Sequence, residues 1–191
     1  MSHRFEEDLI RHCAATLAGH KCGSLYSCQR APGEDVRANL EQANEVLREK
    51  GVRACLLREC EKGGLVYVYR PSMLAERLSR PDVQAVLRAQ GYEDFEVPGA
   101  LETLRTHVRP GEEFPHEIGV FLDYPLSDVI AFIEHKGCCF QCAGCWKAYS
   151  NVAEAQRLFA LYRKCREVYL SCYARGFSVS RLTIAARHTK N

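Results

Sequence analysis

Apolar residues recur every three or four positions in several stretches of the chain, which is the pattern of helices with one buried face. The first stretch ends before Gly19 and the second before Gly51, and glycine is a residue that often ends a helix. The predicted helices cover residues 5–17, 35–50, 72–78, 81–90, 99–107, 127–135 and 152–173, followed by a weakly helical segment over residues 178–187.

Shorter runs rich in β-branched and aromatic residues predict strands between these helices. Residues 60–64 separate two such runs and predict a hairpin connection because they end in two glycines. Residues 118–122 are apolar throughout, a pattern that fits either a buried strand or a tight apolar turn. The predicted strands cover residues 24–28, 52–59, 65–70 and 146–149.

These elements predict one α+β domain over residues 1–191, with a long C-terminal helix. We expect an antiparallel or mixed sheet of about four to five strands packed against several helices. Within this domain, residues 137–149 form a Cys-rich loop and strand, and residues 151–191 form a basic helical C-terminal segment.

The composition is that of a globular protein, with 47% hydrophobic and 26% charged residues. No apolar run approaches the ~20 residues that a membrane-spanning helix needs. The first eight residues are too acidic and too polar for the start of a secretory signal. We therefore expect a cytoplasmic protein with no membrane association, in which the 11 cysteines are mostly reduced.

Charge is distributed unevenly along the chain. Residues 151–191 contain eight Lys or Arg against two Glu, although the whole chain has a net charge of only +2. This asymmetry predicts docking of an acidic partner, such as a flavodoxin-like redox protein, although a solvated helix face would carry the same charges. Because basic and aromatic residues are not interleaved in a nucleic-acid-binding motif, we expect no nucleic-acid partner.

A cluster of cysteines follows Gly137 and suggests metal or redox chemistry, because closely spaced thiolates can hold one soft or borderline metal ion. The two-residue gaps between Cys139, Cys142 and Cys145 match the first three ligands of bacterial ferredoxins, with Cys138 or Cys165 to complete an iron–sulfur site. Zinc is the other candidate metal, with Cys142, Cys145 and either Cys138 or Cys139 as ligands and His135 as a candidate fourth. A metal-free, partly packed loop and a thiol redox pair are the alternatives.

Two further groups of residues are candidates for binding or catalysis. His116 and Glu117 follow Pro115, and His116 is a candidate general acid or base because an imidazole titrates near neutral pH. Adjacent side chains on an extended segment point to opposite faces, so the two converge only in a tight turn. Thr16 and Lys21 lie near the end of the first predicted helix, where they could hold an anion or a cofactor.

Several motifs resemble those of a known family. They are His12-Cys13-Ala14-Ala15-Thr16-Leu17-Ala18-Gly19, Pro115-His116-Glu117-Ile118-Gly119, Cys145-Trp146-Lys147-Ala148-Tyr149, Tyr162-Arg163-Lys164-Cys165 and Arg181-Leu182-Thr183. Together they resemble domain of unknown function 3793, a bacterial family found mostly in anaerobic Firmicutes.

The resemblance extends over essentially the whole chain, and it implies importance for His116, Glu117, Trp146 and Lys147 without implying a mechanism. The chain departs from the family pattern at Ala15, where proline is common, and at Phe140-Gln141, which interrupts a stretch often richer in cysteine.

Three functional hypotheses follow. The first is a metal-binding or iron–sulfur accessory protein in redox or metal metabolism, with an iron–sulfur cluster or zinc as the cofactor. The second is a small enzyme or ligand-binding protein with a site around His116 and Glu117, in which Lys21 or Lys147 holds an anionic group. The third is a non-catalytic module that docks an acidic redox partner. No phosphate-binding loop, dinucleotide-binding glycine motif or serine-hydrolase elbow is present, so these enzyme classes lose their usual support.

Overall fold

The computed structural model describes residues 1–111 and 113–186. The strands are β1 (Gly23–Gln29), β2 (Arg53–Cys60), β3 (Gly63–Tyr69), β4 (Cys142–Ala143) and β5 (Lys147–Ala148). The helices are α1 (His3–Leu17), α2 (Val36–Arg48), α3 (Pro71–Leu78), α4 (Pro81–Ala89), α5 (Val97–His107), α6 (Ile118–Phe121), α7 (Leu126–His135), α8 (Val152–Ala174) and α9 (Val179–Leu182). The predicted α+β fold with a long C-terminal helix is confirmed.

The described strands are divided between two antiparallel sheets. The larger sheet has the order β1–β3–β2, with a tight hairpin between β2 and β3 and a register shift between Leu56 and Arg58. The smaller sheet is the short β4–β5 ribbon, whose first strand begins at Cys142 and whose turn contains Cys145.

Both faces of the larger sheet are buried, which explains why β3 has no alternation of apolar and polar residues. Val66 and Val68 project into a core formed with α1, α2 and α8. Leu65 and Tyr67 project to the opposite face, into a second core formed with helices α3 to α7. The sheet is therefore the middle layer between two groups of helices.

The apolar run at residues 118–122 forms the single helical turn α6, so the strand alternative for this segment is wrong and the tight turn is correct. A Cβ atom added at Gly119 would lie 2.7 Å from Cγ2 of Val129, which shows how closely this turn approaches α7. The hydroxyl of Tyr67 donates a 2.7 Å hydrogen bond to the carbonyl of Phe121 and fixes the turn to the sheet.

Arg70, just after β3, connects segments that are distant in the sequence. Its guanidinium donates hydrogen bonds to the carbonyls of Thr16 (2.6 Å), Leu17 (2.7 Å) and Ile184 (2.7 Å). Two of these carbonyls belong to the end of α1, where backbone groups lack partners within the helix. The guanidinium therefore joins the end of α1 to the residues after α9.

The C-terminal segment is helical over α8 and α9, as predicted, although α9 is shorter than residues 178–187. Arg187 and Lys190, which contribute to the predicted basic charge, lie outside the described residues. No helix in the described part of the chain is long and apolar enough to cross a membrane.

Candidate functional site

Asp128, in the first turn of α7, fixes the segment that carries Trp146 and Lys147. It is 2% exposed, and its Oδ2 accepts a 2.8 Å hydrogen bond from the indole nitrogen of Trp146. Its Oδ1 accepts hydrogen bonds from the backbone of Tyr149 (2.9 Å) and from the backbone and hydroxyl of Ser150 (both 3.0 Å). One buried carboxylate therefore accepts four hydrogen bonds and positions the β4–β5 ribbon against α7.

Aromatic contacts hold the other side of this ribbon. The Trp146 ring stacks on Tyr124 with a centroid distance of 5.0 Å, and it meets the ring of Phe159 edge-on at 4.4 Å. The hydroxyl of Tyr124 donates a 3.0 Å hydrogen bond to the carbonyl of Cys145. The tip of the ribbon is thus packed between the loop after α6 and the helix α8.

A cavity of about 490 Å³ lies between α7, the loop before α6 and the ribbon. Its volume falls within the range of about 300–1,000 Å³ that is usual for small-molecule sites. The side chains around it are mainly apolar or aromatic, and they include Pro115, Ile118, Tyr124, Val129, Phe132 and Trp146. We call it the apolar cavity.

His116 and Lys147 are the basic residues on the wall of the apolar cavity. The Nε2 atom of His116 lies 3.1 Å from a carboxylate oxygen of the exposed Glu113, and its ring meets Phe132 edge-on at 4.9 Å. The ammonium group of Lys147 donates a 2.8 Å hydrogen bond to the carbonyl of Gly137 and lies 5.0 Å from the ring centre of Phe140. The structure therefore brings His116, Trp146 and Lys147 together at one cavity. Of the residues named in the second functional hypothesis, His116 and Lys147 lie there.

Glu117 does not line this cavity. Its side chain is 4% exposed, and its Oε1 accepts a 3.2 Å hydrogen bond from the hydroxyl of Tyr92 and lies 2.7 Å from Nδ1 of His107. Burial raises the pKa of the Tyr92 hydroxyl well above its ordinary value, and the neighbouring Glu117 carboxylate raises it further. His116 and Glu117 thus contact different partners, and the catalytic roles of His116 as acid or base and of Glu117 in orienting it or binding substrate stay predictions.

Lys21 lies in a second cleft of about 160 Å³, which we call the basic cleft. Lys21 is 8% exposed, and its ammonium group lies 5.2 Å from the ring centre of Tyr124 and 5.6 Å from that of Tyr162. Burial lowers the pKa of Lys21, and the nearby Cys145 thiol is the largest opposing influence. The cleft is lined further by Arg11, His12, Ala14, Ala15, Ser24, Cys145, Arg163 and Arg166.

Thr16 does not line the basic cleft, although it lies beside it. Its side chain is fully buried, and its hydroxyl shares a 2.8 Å hydrogen bond with the hydroxyl of Ser24. Ser24 does line the cleft, so Thr16 orients a residue of the wall. Lys21 therefore lines the basic cleft directly, whereas Thr16 is connected to it only through Ser24.

The clustered cysteines lie on the surface, and the distant one does not. Cys138, Cys139 and Cys145 are exposed and Cys142 is half-buried, whereas Cys165 is buried in the core next to α1. Among the described residues, no group of three or more His, Cys, Asp or Glu side chains is arranged to hold a metal ion. The metal-ligand set therefore stays a prediction without support from the side-chain positions.

The basic face of α8 exposes Arg163, Lys164 and Arg166 to solvent. Arg163 and Arg166 also line the basic cleft, whereas Lys164 lines a shallow groove further along the helix. The docking of an acidic redox partner on this face stays a prediction.

Sequence reasoning missed Asp128, Tyr124 and Phe132, which build the wall of the apolar cavity. Ser127 and Asp128 gave only the signal of a helix start, and Asp128 is indeed in the first turn of α7. Its hydrogen bonds to residues 146–150 are long-range, and no local pattern predicts them. The signal that did identify this region was the motif Cys145-Trp146-Lys147-Ala148-Tyr149.

The fold and the site together define a small α+β protein with two adjacent cavities beside a cysteine-rich ribbon. A family model described as "Protein of unknown function (DUF3793)" matches residues 9–183. The chain belongs to this family, which confirms the resemblance of its motifs. No curated protein matches the chain, and no solved structure matches it either.

Proposed function

We propose that this protein binds a small organic ligand in the apolar cavity, with an aromatic or hydrocarbon body and one anionic group. The observation that carries the proposal is the cavity of about 490 Å³, whose wall is mainly apolar and has few polar side chains. Ligand sites of this kind gain affinity from apolar contact and gain orientation from a small number of polar groups.

The aromatic side chains indicate the shape of the ligand. Tyr124, Phe132 and Trp146 all contribute to the wall, and Trp146 cannot rotate freely because its indole nitrogen is bound to Asp128. Fixed aromatic rings favour a flat or aromatic ligand body, which can stack on them or meet them edge-on.

The two basic residues indicate its charge. The ammonium group of Lys147 has three donors, of which the hydrogen bond to Gly137 uses one. His116 pairs with Glu113, whose side chain is 81% exposed and can be displaced by a ligand. Both residues can therefore donate to a carboxylate or similar group at the edge of the cavity.

The arrangement does not support the predicted catalytic combination of His116 with Glu117. A catalytic role shared by His116 and Glu117 would need both side chains within hydrogen-bond reach of the same substrate. Glu117, the predicted partner, is committed to Tyr92 and His107. We therefore assign His116 a role in holding the ligand.

The single tryptophan of the chain provides a direct readout, because Trp146 lines the apolar cavity. The probe is 1-naphthoate, with 1-naphthalenemethanol as its uncharged counterpart, and the signal is the change in Trp146 emission on titration. We expect saturable binding of both compounds, with the carboxylate bound more tightly.

Two variants test where and how the probe binds. Ala143→Phe places a ring in the mouth of the cavity and should abolish binding, whereas Ala160→Phe, at an exposed position on α8, should leave it unchanged. Lys147→Met should weaken binding of the carboxylate by about tenfold and leave the alcohol unaffected. Unchanged binding to Ala143→Phe, or no binding of either probe to the wild type, would contradict the proposal.

An iron–sulfur or zinc site is the second candidate, because four thiols lie within residues 138–145. Cys142 and Cys145 are placed around the turn of the β4–β5 ribbon, and Cys138, Cys139 and Cys145 are open to solvent. Metal and acid-labile sulfide analysis of protein purified without oxygen tests this candidate. Stoichiometric metal that is lost in Cys142→Ser and Cys145→Ser would support it, and metal-free protein would eliminate it.

A further inference from the structure

The basic cleft differs in chemistry from the apolar cavity and requires its own explanation. It lies between the face of α1 that carries Arg11 and His12, the start of the sheet at Lys21 and Ser24, and the face of α8 that carries Arg163 and Arg166. These three parts of the chain converge in the fold, and each contributes at least one group that can donate a hydrogen bond to an anion.

Lys21 is the group at this cleft that most clearly lacks a partner. It is 8% exposed, and in the described part of the chain its ammonium group has ring contacts but no hydrogen bond or ion pair. Burial of an unpaired charge is costly, and a fold retains such a charge only where something compensates for it.

The neighbouring carboxylates provide little of that compensation, although Asp123 favours the charged form of Lys21 from a distance. Glu7 pairs with Arg11, and Asp123 accepts hydrogen bonds from Arg77 and from the backbone of Cys22. Asp8 acts on His12 from a distance, and no described carboxylate lines the cleft itself. The cleft thus has an excess of positive charge around one buried ammonium group.

We propose that the basic cleft binds a phosphate group. The guanidinium groups of Arg163 and Arg166 have the planar, forked donors that match phosphate oxygens, and Lys21 supplies a point charge below them. The volume of about 160 Å³ suits a small oxyanion rather than an extended organic ligand. The same chemistry would accept free inorganic phosphate or the phosphate end of an ester whose remainder lies outside the cleft.

Isothermal titration calorimetry of the full chain at low salt tests the proposal with two probes, inorganic phosphate and phenyl phosphate. Lys21→Met keeps most of the unbranched side chain and removes its charge, and it should weaken binding by about tenfold or more. Lys164→Met is the matched control, because it removes the same charge from α8 at a position outside the cleft. This control should bind like the wild type.

The outcomes separate the two sources of the phosphate group. Binding of both probes that is lost in Lys21→Met supports a site for inorganic phosphate, and binding of phenyl phosphate alone supports an ester. Absence of binding by either probe would overturn the proposal, as would equal loss in the two lysine variants, which would indicate general attraction to the basic helix. If Lys21→Met does not fold, Arg166→Met tests the same cleft.

This site is distinct from the apolar cavity in its lining residues. Ala143→Phe should abolish binding of 1-naphthoate and leave phosphate binding intact, because Ala143 lines only the apolar cavity. Lys21→Met should have the opposite pattern. A failure of one proposal is therefore distinguishable from a failure of the other.

Discussion

Tyr124 lines the apolar cavity and contacts Lys21 of the basic cleft, but the two sites differ in how their polar groups are satisfied. At the apolar cavity, Asp128 accepts four hydrogen bonds and Lys147 donates one to Gly137. At the basic cleft, the ammonium group of Lys21 has ring contacts but no hydrogen bond or ion pair in the described part of the chain. Asp128 and Lys147, which have protein partners, stabilise the fold, whereas Lys21, which lacks them, is available to a ligand.

The largest expected effect comes from removing the carboxylate that fixes the ribbon beside both cavities. Asp128→Ala leaves the indole nitrogen of Trp146 and two backbone N–H groups without a partner, and it should lower the free energy of unfolding by roughly 3 kcal/mol or more. Urea denaturation measures the change. Glu45→Ala removes an exposed carboxylate on α2 and should leave the transition almost unchanged. Equal stability of Asp128→Ala and the wild type would contradict the assigned role.

A smaller effect is expected at Glu117, the residue that the motif Pro115-His116-Glu117 places next to the apolar cavity. Glu117→Gln weakens the charge-assisted contact with His107 and should reduce the free energy of unfolding by about 1–2 kcal/mol. Binding of 1-naphthoate should persist, because Glu117 does not line the cavity. His116→Ala should show the reverse, with weaker probe binding and nearly unchanged stability. Loss of probe binding in a folded Glu117→Gln protein would place this carboxylate in the site after all.

The two lysines should respond in opposite directions to the same substitution. Lys21→Met removes an unpaired buried charge and should raise the free energy of unfolding of the ligand-free protein by about 1 kcal/mol. Lys147→Met loses its hydrogen bond to Gly137 and should lower it by about 1 kcal/mol. Thermal and urea unfolding of the two variants measure the signs. Destabilisation by Lys21→Met without ligand would show that its ammonium group has a partner within the fold.

The pH dependence of the Lys21 effect follows from its lowered pKa, which burial causes. As pH rises through the lowered folded-state pKa towards the ordinary value of 10.5, the folded protein loses this proton before the unfolded chain does. The contribution of Lys21 to the free energy of unfolding therefore rises with pH between these two pKa values. The advantage of Lys21→Met over the wild type should shrink in the same window, and an advantage constant with pH would contradict the burial of the charge.

The smallest effect is expected at Tyr124, which lines the apolar cavity and contacts Lys21 of the basic cleft. Tyr124→Phe keeps the ring that stacks on Trp146 and removes the hydroxyl that donates to Cys145. We expect a loss of about 0.5–1 kcal/mol in the free energy of unfolding. Tyr69→Phe, at a half-buried tyrosine outside both cavities, is a control for the general effect of losing a hydroxyl. Binding of 1-naphthoate and of phosphate should change little. Loss of binding of both probes would show that the hydroxyl orders the ribbon.

The sequence predicted most elements of the fold because helices and strands depend on local patterns. Residues 118–122 were ambiguous because a short apolar run has the same pattern in a buried strand and in a buried helical turn. The close packing of Gly119 on Val129 decides in favour of the turn, and that contact joins two elements.

The candidate site was predicted less completely, for a related reason. The motifs identified His116, Trp146 and Lys147, which do meet at the apolar cavity, and Lys21, which lines the basic cleft. Glu117 is adjacent to His116 in the chain but has different spatial partners. Its buried hydrogen bonds, like those of Asp128, connect residues between 10 and 25 positions apart, a distance at which no periodic pattern is informative.

Tyr124 is the residue that would couple the two cavities thermodynamically. Its ring stacks on Trp146 at one cavity and lies 5.2 Å from the ammonium group of Lys21 at the other. A ligand that shifts this ring changes the affinity of the second cavity, and linkage requires the factor to be the same in both directions. Phosphate titrations with and without saturating 1-naphthoate would give this factor, and the reverse titrations must reproduce it. Tyr124 is therefore the residue through which binding at one site would change the affinity of the other.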